Sequence, residues 1–330
     1  MRTIQLNAEI PEFTTYQYIA CPAIVVSENS TAENWYFNNS LQVRCNKELN
    51  EANNYELELT FFNAGYCKMK DIIDYHTLPR NLFISNFHEM IYYCLEHGYY
   101  AYIDCYDEYY LENSRVYNTA HITHDCLITG YDTVTDRYKI AVYNMKEHFN
   151  FIESSRTCLK KALFSEYLIK DPIREKSGYL CAMRAKKINC QLDLNSVKNG
   201  ISDYLSGTPE INDNPECQIA VGIGTVRYCL KYIDSVANYN SNLDLRFTLF
   251  YYEYRKFILK LIKKLEAYLN WNNNLSNIYS AVAERAYLVH YMCLKLNLTK
   301  NFIYIKKIKK LIKDNLDMEY KILNEIRNRI

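Results

Sequence analysis

The stretch from His121 to Asn144, HITHDCLITGYDTVTDRYKIAVYN, constrains the fold of this chain more than any other. His124 opens an apolar run, Cys126, Leu127 and Ile128, which stops at Gly130-Tyr131-Asp132; after a short polar turn, a second alternating run extends from Arg137 to Asn144. Alternation with a period of two, interrupted by such a turn, predicts a β-hairpin. Pairing across the turn makes neighbours of His124 and Asn144. A side-chain amide beside an imidazole fixes its orientation for general-base work. Each residue also has a plain structural reading: His124 as a half-buried strand histidine with His121 as its competitor, Asn144 as a strand end, and Asp132 as an Asx residue of the turn.

Upstream of the hairpin, TYQYIACPAIVVS holds Gln17 and Cys21, with a proline directly after the cysteine. Proline is favoured at the first helical position, so Cys21 is expected at or just before a helix N-terminus, where the dipole lowers a thiol pKa. The β-branched run after it reads equally as a strand. Residues 29–54 suggest loop and helix around Trp35, Tyr36 and Phe37, and 55–62 alternate as a strand. Leu82 to His97 has helical spacing and a terminal Gly98; Tyr99 to Tyr106 reads as a buried strand. Residues 151–168 and 179–189 alternate less cleanly and close a first domain.

Beyond residue 190 the pattern changes to helices. These are expected over 193–207, 224–237, 243–269, 277–295 and 300–327, with a polar loop over 208–218. Mixed α and β followed by helices predicts an α+β domain over 1–190 and a helical domain over 191–330 packed against it.

Composition excludes several classes. A net charge of +1 argues against a generic nucleic-acid binder. No run approaches the ~18 apolar residues of a membrane span, and the polar start MRTIQLNAEIPEF lacks a signal-peptide core, so a cytoplasmic protein without membrane contact is expected. The 12 cysteines contain no C-x-x-C pair and no zinc-finger spacing, so no structural metal is expected. No phosphate-binding glycine motif occurs, so no nucleotide cofactor is implied. Between Lys295 and Ile330, ten Lys or Arg face four Asp or Glu, concentrated in KKIKKLIK: a solvated helix face or a docking surface for an acidic partner.

A cysteine nucleophile needs a base, and the base needs a third group to hold it. Cys21, His124 and Asn144 supply these in the order found in papain-like folds, with Gln17 a candidate oxyanion donor. Taken alone, Cys21 reads first as a buried core thiol, and Cys45 and Cys67 are rival nucleophiles. Asp104, Asp107 and Glu108 follow a strand and suit either a solvated acidic turn or the binding of a cationic amine.

The runs EHGYYAYIDCYDEYYL, HDCLITGYD and Tyr138 to Asn144, with the later GIGTVRYCLKYI and LDLRFTLFYYEYRKFILKLIKKL, resemble the butirosin biosynthesis protein H N-terminal family of papain-like cysteine enzymes. The resemblance spans most of the chain. A more distant similarity is to peptidase domains that process bacteriocin leaders, which share Gln, Cys, His and Asp in that order; here Asn144 stands where Asp is usual, and Gln17 lies closer to Cys21. The family resemblance implies a papain-like fold and acyl transfer. An acyl group on the phosphopantetheine thioester of an acyl or peptidyl carrier protein passes to Cys21, and an amine attacks to give an amide, with no further cofactor. Two alternatives stay open: a cysteine peptidase or hydrolase using the same residues, and a non-catalytic binding protein.

Overall fold

The computed structural model describes residues 3–49, 56–170, 178–207, 219–239 and 242–330. The loop expected over 208–218 lies outside them. In chain order the elements are β1 (Ile4–Gln5), α1 (Gln17–Val26), α2 (Ala32–Asn39), β2 (Val43–Asn46), β3 (Leu59–Phe61), β4 (Ile73–Pro79), α3 (Arg80–Phe83), α4 (Phe87–Glu96) and β5 (Tyr100–Asp107). Then come β6 (Thr123–Asp132), β7 (Arg137–Tyr143), β8 (Phe149–Ser155), α5 (Arg156–Leu163), α6 (Glu166–Ile169) and β9 (Tyr179–Ala185). The remainder is α7 (Leu194–Ser206), β10 (Ile219–Val221), α8 (Thr225–Tyr239), α9 (Arg246–Tyr268), α10 (Leu275–Thr299) and α11 (Ile303–Arg329).

Two compact units emerge: residues 1–32 with 65–189, and residues 33–64 with 190–330. The segment 33–64 therefore belongs with the helical half, although sequence order assigns it to the first domain.

The first unit is built on an antiparallel sheet of seven strands, in the order β4-β9-β5-β6-β7-β8, with β1 added against β6. The hairpin is present as β6 and β7, joined by a turn in which Asp132 Oδ1 accepts from Val134 N at 2.8 Å, the Asx role expected of it. One sheet face is covered by α3, α4 and α5: Phe83, Phe87, Ile91, Leu159 and Leu163 cluster with Ile103, Tyr106, Cys126, Ile128 and Ile140. Burial of these side chains supplies the main driving force for this layer. α4 is shorter than the single helix expected over 82–97, because α3 and a 3-10 turn precede it; Gly98, at φ +76°, ends it as expected.

The second unit is a helical bundle with a small antiparallel sheet, β10-β2-β3. In α7, Asp193 Oδ1 accepts from Asn195 N at 3.0 Å and Gly207 closes the helix in the left-handed region, as its end residues predict. Gly222 (φ +55°) is required by close approach, since a Cβ there would lie 2.4 Å from Tyr204 O. Among the described residues no helix is long and apolar enough to cross a membrane. The fold is thus a mixed α+β architecture with a C-terminal helical bundle.

Candidate active site

Cys21 lies on a helix, which settles the choice between helix and strand, but not at the helix terminus. α1 begins at Gln17, so Cys21 is its fifth residue and Pro22 lies inside it. Gln17 and Cys21, four apart, share one face. The thiol is fully buried, and burial, then Asp125, then Cys126, hold its pKa well above the ordinary thiol value, opposite to the depression a helix terminus would cause. Among the described residues the Cys21 thiol makes no hydrogen bond.

Strand alternation decides which residues of β6 meet α1. Cys126 and Ile128 enter the core beneath α4 and α5, so Asp125 and Leu127 are directed to the other face. Several contacts converge there. Gln17 Nε2 donates to the Asp125 carbonyl, Tyr102 Oη donates to Asp125 Oδ2 at 3.0 Å, and both Tyr102 and Cys21 feel the Asp125 charge. Gln17 is 1 % exposed; its Oε1 has no partner among the described residues.

His124 has the opposite parity to Asp125 and pairs in register with Tyr106 of β5. Its ring turns back to its sequence neighbour: Nδ1 is 2.8 Å from Asp125 Oδ1 and 3.0 Å from Asp125 N. Glu108 also feels its charge. Asn144 is level with His124 if the Leu127–Ala141 register is continued by three residues. Its side chain, however, closes a turn: Oδ1 accepts from Lys146 N at 2.9 Å and His148 N at 3.2 Å. The expected Asn144–His124 hydrogen bond is therefore absent among the described residues, because a local turn satisfies the amide oxygen first.

The acidic cluster divides. Asp107 and Glu108 are fully buried and already engaged, which removes the access an amine would need. Asp107 accepts from Ser165 Oγ, from Tyr109 N at 3.2 Å, and lies 2.8 Å from His121 Nδ1. Glu108 lies 3.4 Å from Arg115 Nε, and burial raises its pKa. Asp104 is different. It is half-buried on the α1 face beside Tyr179, and burial, together with the nearby Asp125, pushes its carboxyl up to about 6 against the lowering hydrogen bond from Tyr179. The rings of Tyr66, Tyr102 and Tyr179 pack together, with centroids 5.7 Å to 6.4 Å apart, and each feels the Asp104 charge.

Cys45 is buried in β2 of the second unit, with its pKa raised by burial; Cys67 is exposed on a 3-10 turn. Among the described residues no group of His, Cys, Asp and Glu is arranged to hold a metal. Sequence reasoning missed Asp125 and Tyr102 as members of the cluster; the signal was the period of two along β6, which sends Asp125 and His124 to opposite faces. No family model matches the chain, and no curated protein matches it.

Proposed function

We propose that the protein is a papain-like, cysteine-dependent acyltransferase that moves an acyl group from a carrier-protein thioester, through an acyl-enzyme on Cys21, to an amine. The observation that carries this reading is the convergence of Gln17 and Cys21 of α1 on Asp125, whose carboxylate also lies 2.8 Å from His124 Nδ1. In this reading Cys21 is the nucleophile, His124 the base, Asp125 its orienting carboxylate and Gln17 the amide donor, drawn from α1 and β6.

In the first step the Cys21 sulfur attacks the thioester carbonyl, and its proton passes to the His124–Asp125 pair. The carbon–sulfur bond to the carrier breaks, and the carrier thiolate takes that proton. One thioester replaces another, so little driving force is needed. In the second step a neutral amine attacks the Cys21 thioester, gives its proton to the pair, and leaves an amide as the proton returns to the thiolate. The second N–H of the Gln17 amide serves the oxyanion in both steps. Asp104, with Tyr66 and Tyr179, receives a cationic group of the amine substrate. In its most specific form the reading is an amide synthetase of the kind used in closthioamide assembly, which joins a carrier-bound aryl and β-alanine chain to a diamine; what supports it is the cysteine-protease-like order of Cys21, His124 and Asn144 along the chain.

Intact mass after mixing with an acyl-loaded carrier tests the scheme. The expected result is an acyl adduct on wild type that is lost in Cys21→Ala and discharged by an amine to give amide. Discharge to free acid alone, whatever the amine, would make the protein a cysteine hydrolase. A non-catalytic binding protein is the second reading, favoured by a Cys21 thiol that is fully buried and makes no hydrogen bond among the described residues; it predicts full product-independent ligand binding in Cys21→Ala and no adduct on wild type.

A further inference from the structure

We infer that the groove between α8 and α11 is the docking site for an acidic amphipathic helix, that of the carrier protein which delivers the acyl chain. The identity of this partner rests on the acyl-transfer reading; the chemistry of the groove does not. The two helices run antiparallel. Asp234, near the end of α8, holds Lys309, near the start of α11, through both carboxylate oxygens at 2.6 Å, while Ile223, just before α8, lies beside Leu316 and Tyr320. Between these ends runs a groove of about 600 Å³ that continues past Ile223 toward Lys321. From Lys309 to Lys321 a helix advances about 18 Å, which accommodates roughly three turns of a partner helix.

The floor is apolar, formed by Ile223, Val226, Leu230 and Leu316. The rim is cationic. Arg227, Lys231, Lys313 and Lys321 are all exposed, and among the described residues none of the four makes an ion pair. Asp234 is neutralised by Lys309, so Asp317 is the one carboxylate of this lining set against those four cations. The spacing explains the arrangement. Arg227 and Lys231 are four apart on α8, and Lys309 and Lys313 are four apart on α11, so each helix projects a cationic row along its edge of the groove. The inward face of α11, from Ile305 through Ile308, Ile312, Ile322 and Ile326, is buried in the bundle, and the lysines of the KKIKKLIK run are thereby left outward.

An apolar floor between cationic rows selects a helix with an apolar stripe and acidic flanks. A nucleic-acid duplex would match the charge but leave the floor uncovered. Of the components the acyl-transfer reading requires, the carrier protein is the macromolecule that must bind and leave at every turnover. Carrier domains present an acidic helix beside the phosphopantetheine serine, which is the shape and charge this groove takes.

The test uses the full-length protein and an acyl carrier protein loaded with an acyl-phosphopantetheine. Titration followed by fluorescence anisotropy is expected to show binding that weakens with salt, and at least about tenfold weaker binding for the Lys231→Glu/Lys313→Glu double variant. Acidic-to-lysine changes on the carrier helix are expected to restore affinity for that variant, which a misfolded protein would not allow. Acylation of Cys21 by the loaded carrier falls in parallel, whereas acylation by a free pantetheine thioester, which needs no docking, is unchanged. Equal carrier affinity in wild type and variant would overturn the groove as the docking site, as would tighter binding of a nucleic-acid duplex than of the carrier with the same dependence on Lys231 and Lys313. Failure of the acyl-transfer reading is seen separately, as absence of an adduct from the pantetheine thioester on wild type, and leaves the binding titration to decide the groove.

Discussion

His124 Nδ1 lies 2.8 Å from Asp125 Oδ1, so the group that orients the imidazole is its immediate neighbour in sequence and not a residue of the facing strand. A protonated Nδ1 donates to that carboxylate, and an unprotonated one accepts from Asp125 N at 3.0 Å, so the ring is held in either tautomer. In the acyl-transfer reading, Asp125→Asn is expected to lower the rate of Cys21 acylation by about 10²-fold or more, as loss of a tautomer-fixing carboxylate does. Asn144→Ala leaves that rate within a few-fold and costs about 1 kcal/mol of stability, because its oxygen serves the turn to His148. Single-turnover acylation and urea denaturation of the two variants separate these outcomes.

The buried thiol gives a second expectation. Burial and the nearby Asp125 raise the Cys21 pKa, so little thiolate exists at neutral pH, whereas Cys67 is exposed. With iodoacetamide at neutral pH, Cys67 is modified first and Cys21 slowly, the Cys21 rate still climbing as pH rises past the ordinary thiol range. Asp125→Asn speeds Cys21 labelling by removing the negative charge that disfavours the thiolate. Peptide mapping by mass spectrometry against time and pH reads both, and a Cys21 that labels as fast as Cys67 contradicts the expectation.

Much of the fold was legible, and the part of the site that was not has a definite cause. The hairpin could be read because its apolar residues alternate, and α7 because Asp193 and Gly207 mark its ends. β2 was missed: it is four residues long, VRCN, and one of its partners, β10, lies more than 170 residues away. The same long-range pairing attaches 33–64 to the helical unit, which no local pattern announces. At the site, the order of Cys21 and His124 along the chain carried the expectation that they meet, and the structure links each of them to Asp125. Alternation alone puts His124 and Asp125 on opposite faces, but which face α1 covers is a tertiary fact. The irregularity of β5 between Ile103 and Tyr106 adds to this, since it shifts the parity by which Asp104 joins the α1 face while Tyr106 enters the core.

Asp104 makes the site sensitive to mild acid. Burial is the main cause of its elevated pKa, about 6, so the carboxyl is protonated below that value and ionised above it. Because the folded pKa is raised, the associated stability is fully present below the ordinary carboxylate pKa and is lost as pH rises through about 6. Asp104→Asn therefore gains stability relative to wild type across the rise through about pH 6, with little difference at strongly acid pH. In the acyl-transfer reading the KM for a cationic amine falls over the same rise in wild type and is flat in the variant. Parallel urea titrations and amine KM profiles against pH check the two halves of this prediction independently.

The helical unit carries a buried ion pair whose loss is expected to be costly. Arg255 Nη2 is 2.8 Å from Glu319 Oε2, with side chains 4 % and 0 % exposed. Tyr204 Oη donates to the same oxygen at 3.1 Å, Tyr279 Oη donates to Oε1 at 2.6 Å, and the guanidinium carbon lies 3.6 Å from the centre of the Tyr251 ring. Three helices and α7 thus meet on one carboxylate. Glu319→Ala leaves the guanidinium buried without its counter-charge and is expected to destabilise this unit by about 3–5 kcal/mol. The double variant Arg255→Met/Glu319→Leu removes both charges while keeping apolar volume, and is expected to recover most of that loss, since well-packed apolar replacements of buried pairs are often neutral. Denaturation monitored by far-UV circular dichroism, which the helical unit dominates, measures the difference; a double variant as unstable as Glu319→Ala would mean that the tyrosine hydroxyls left without an acceptor, and not the unpaired charge, set the cost.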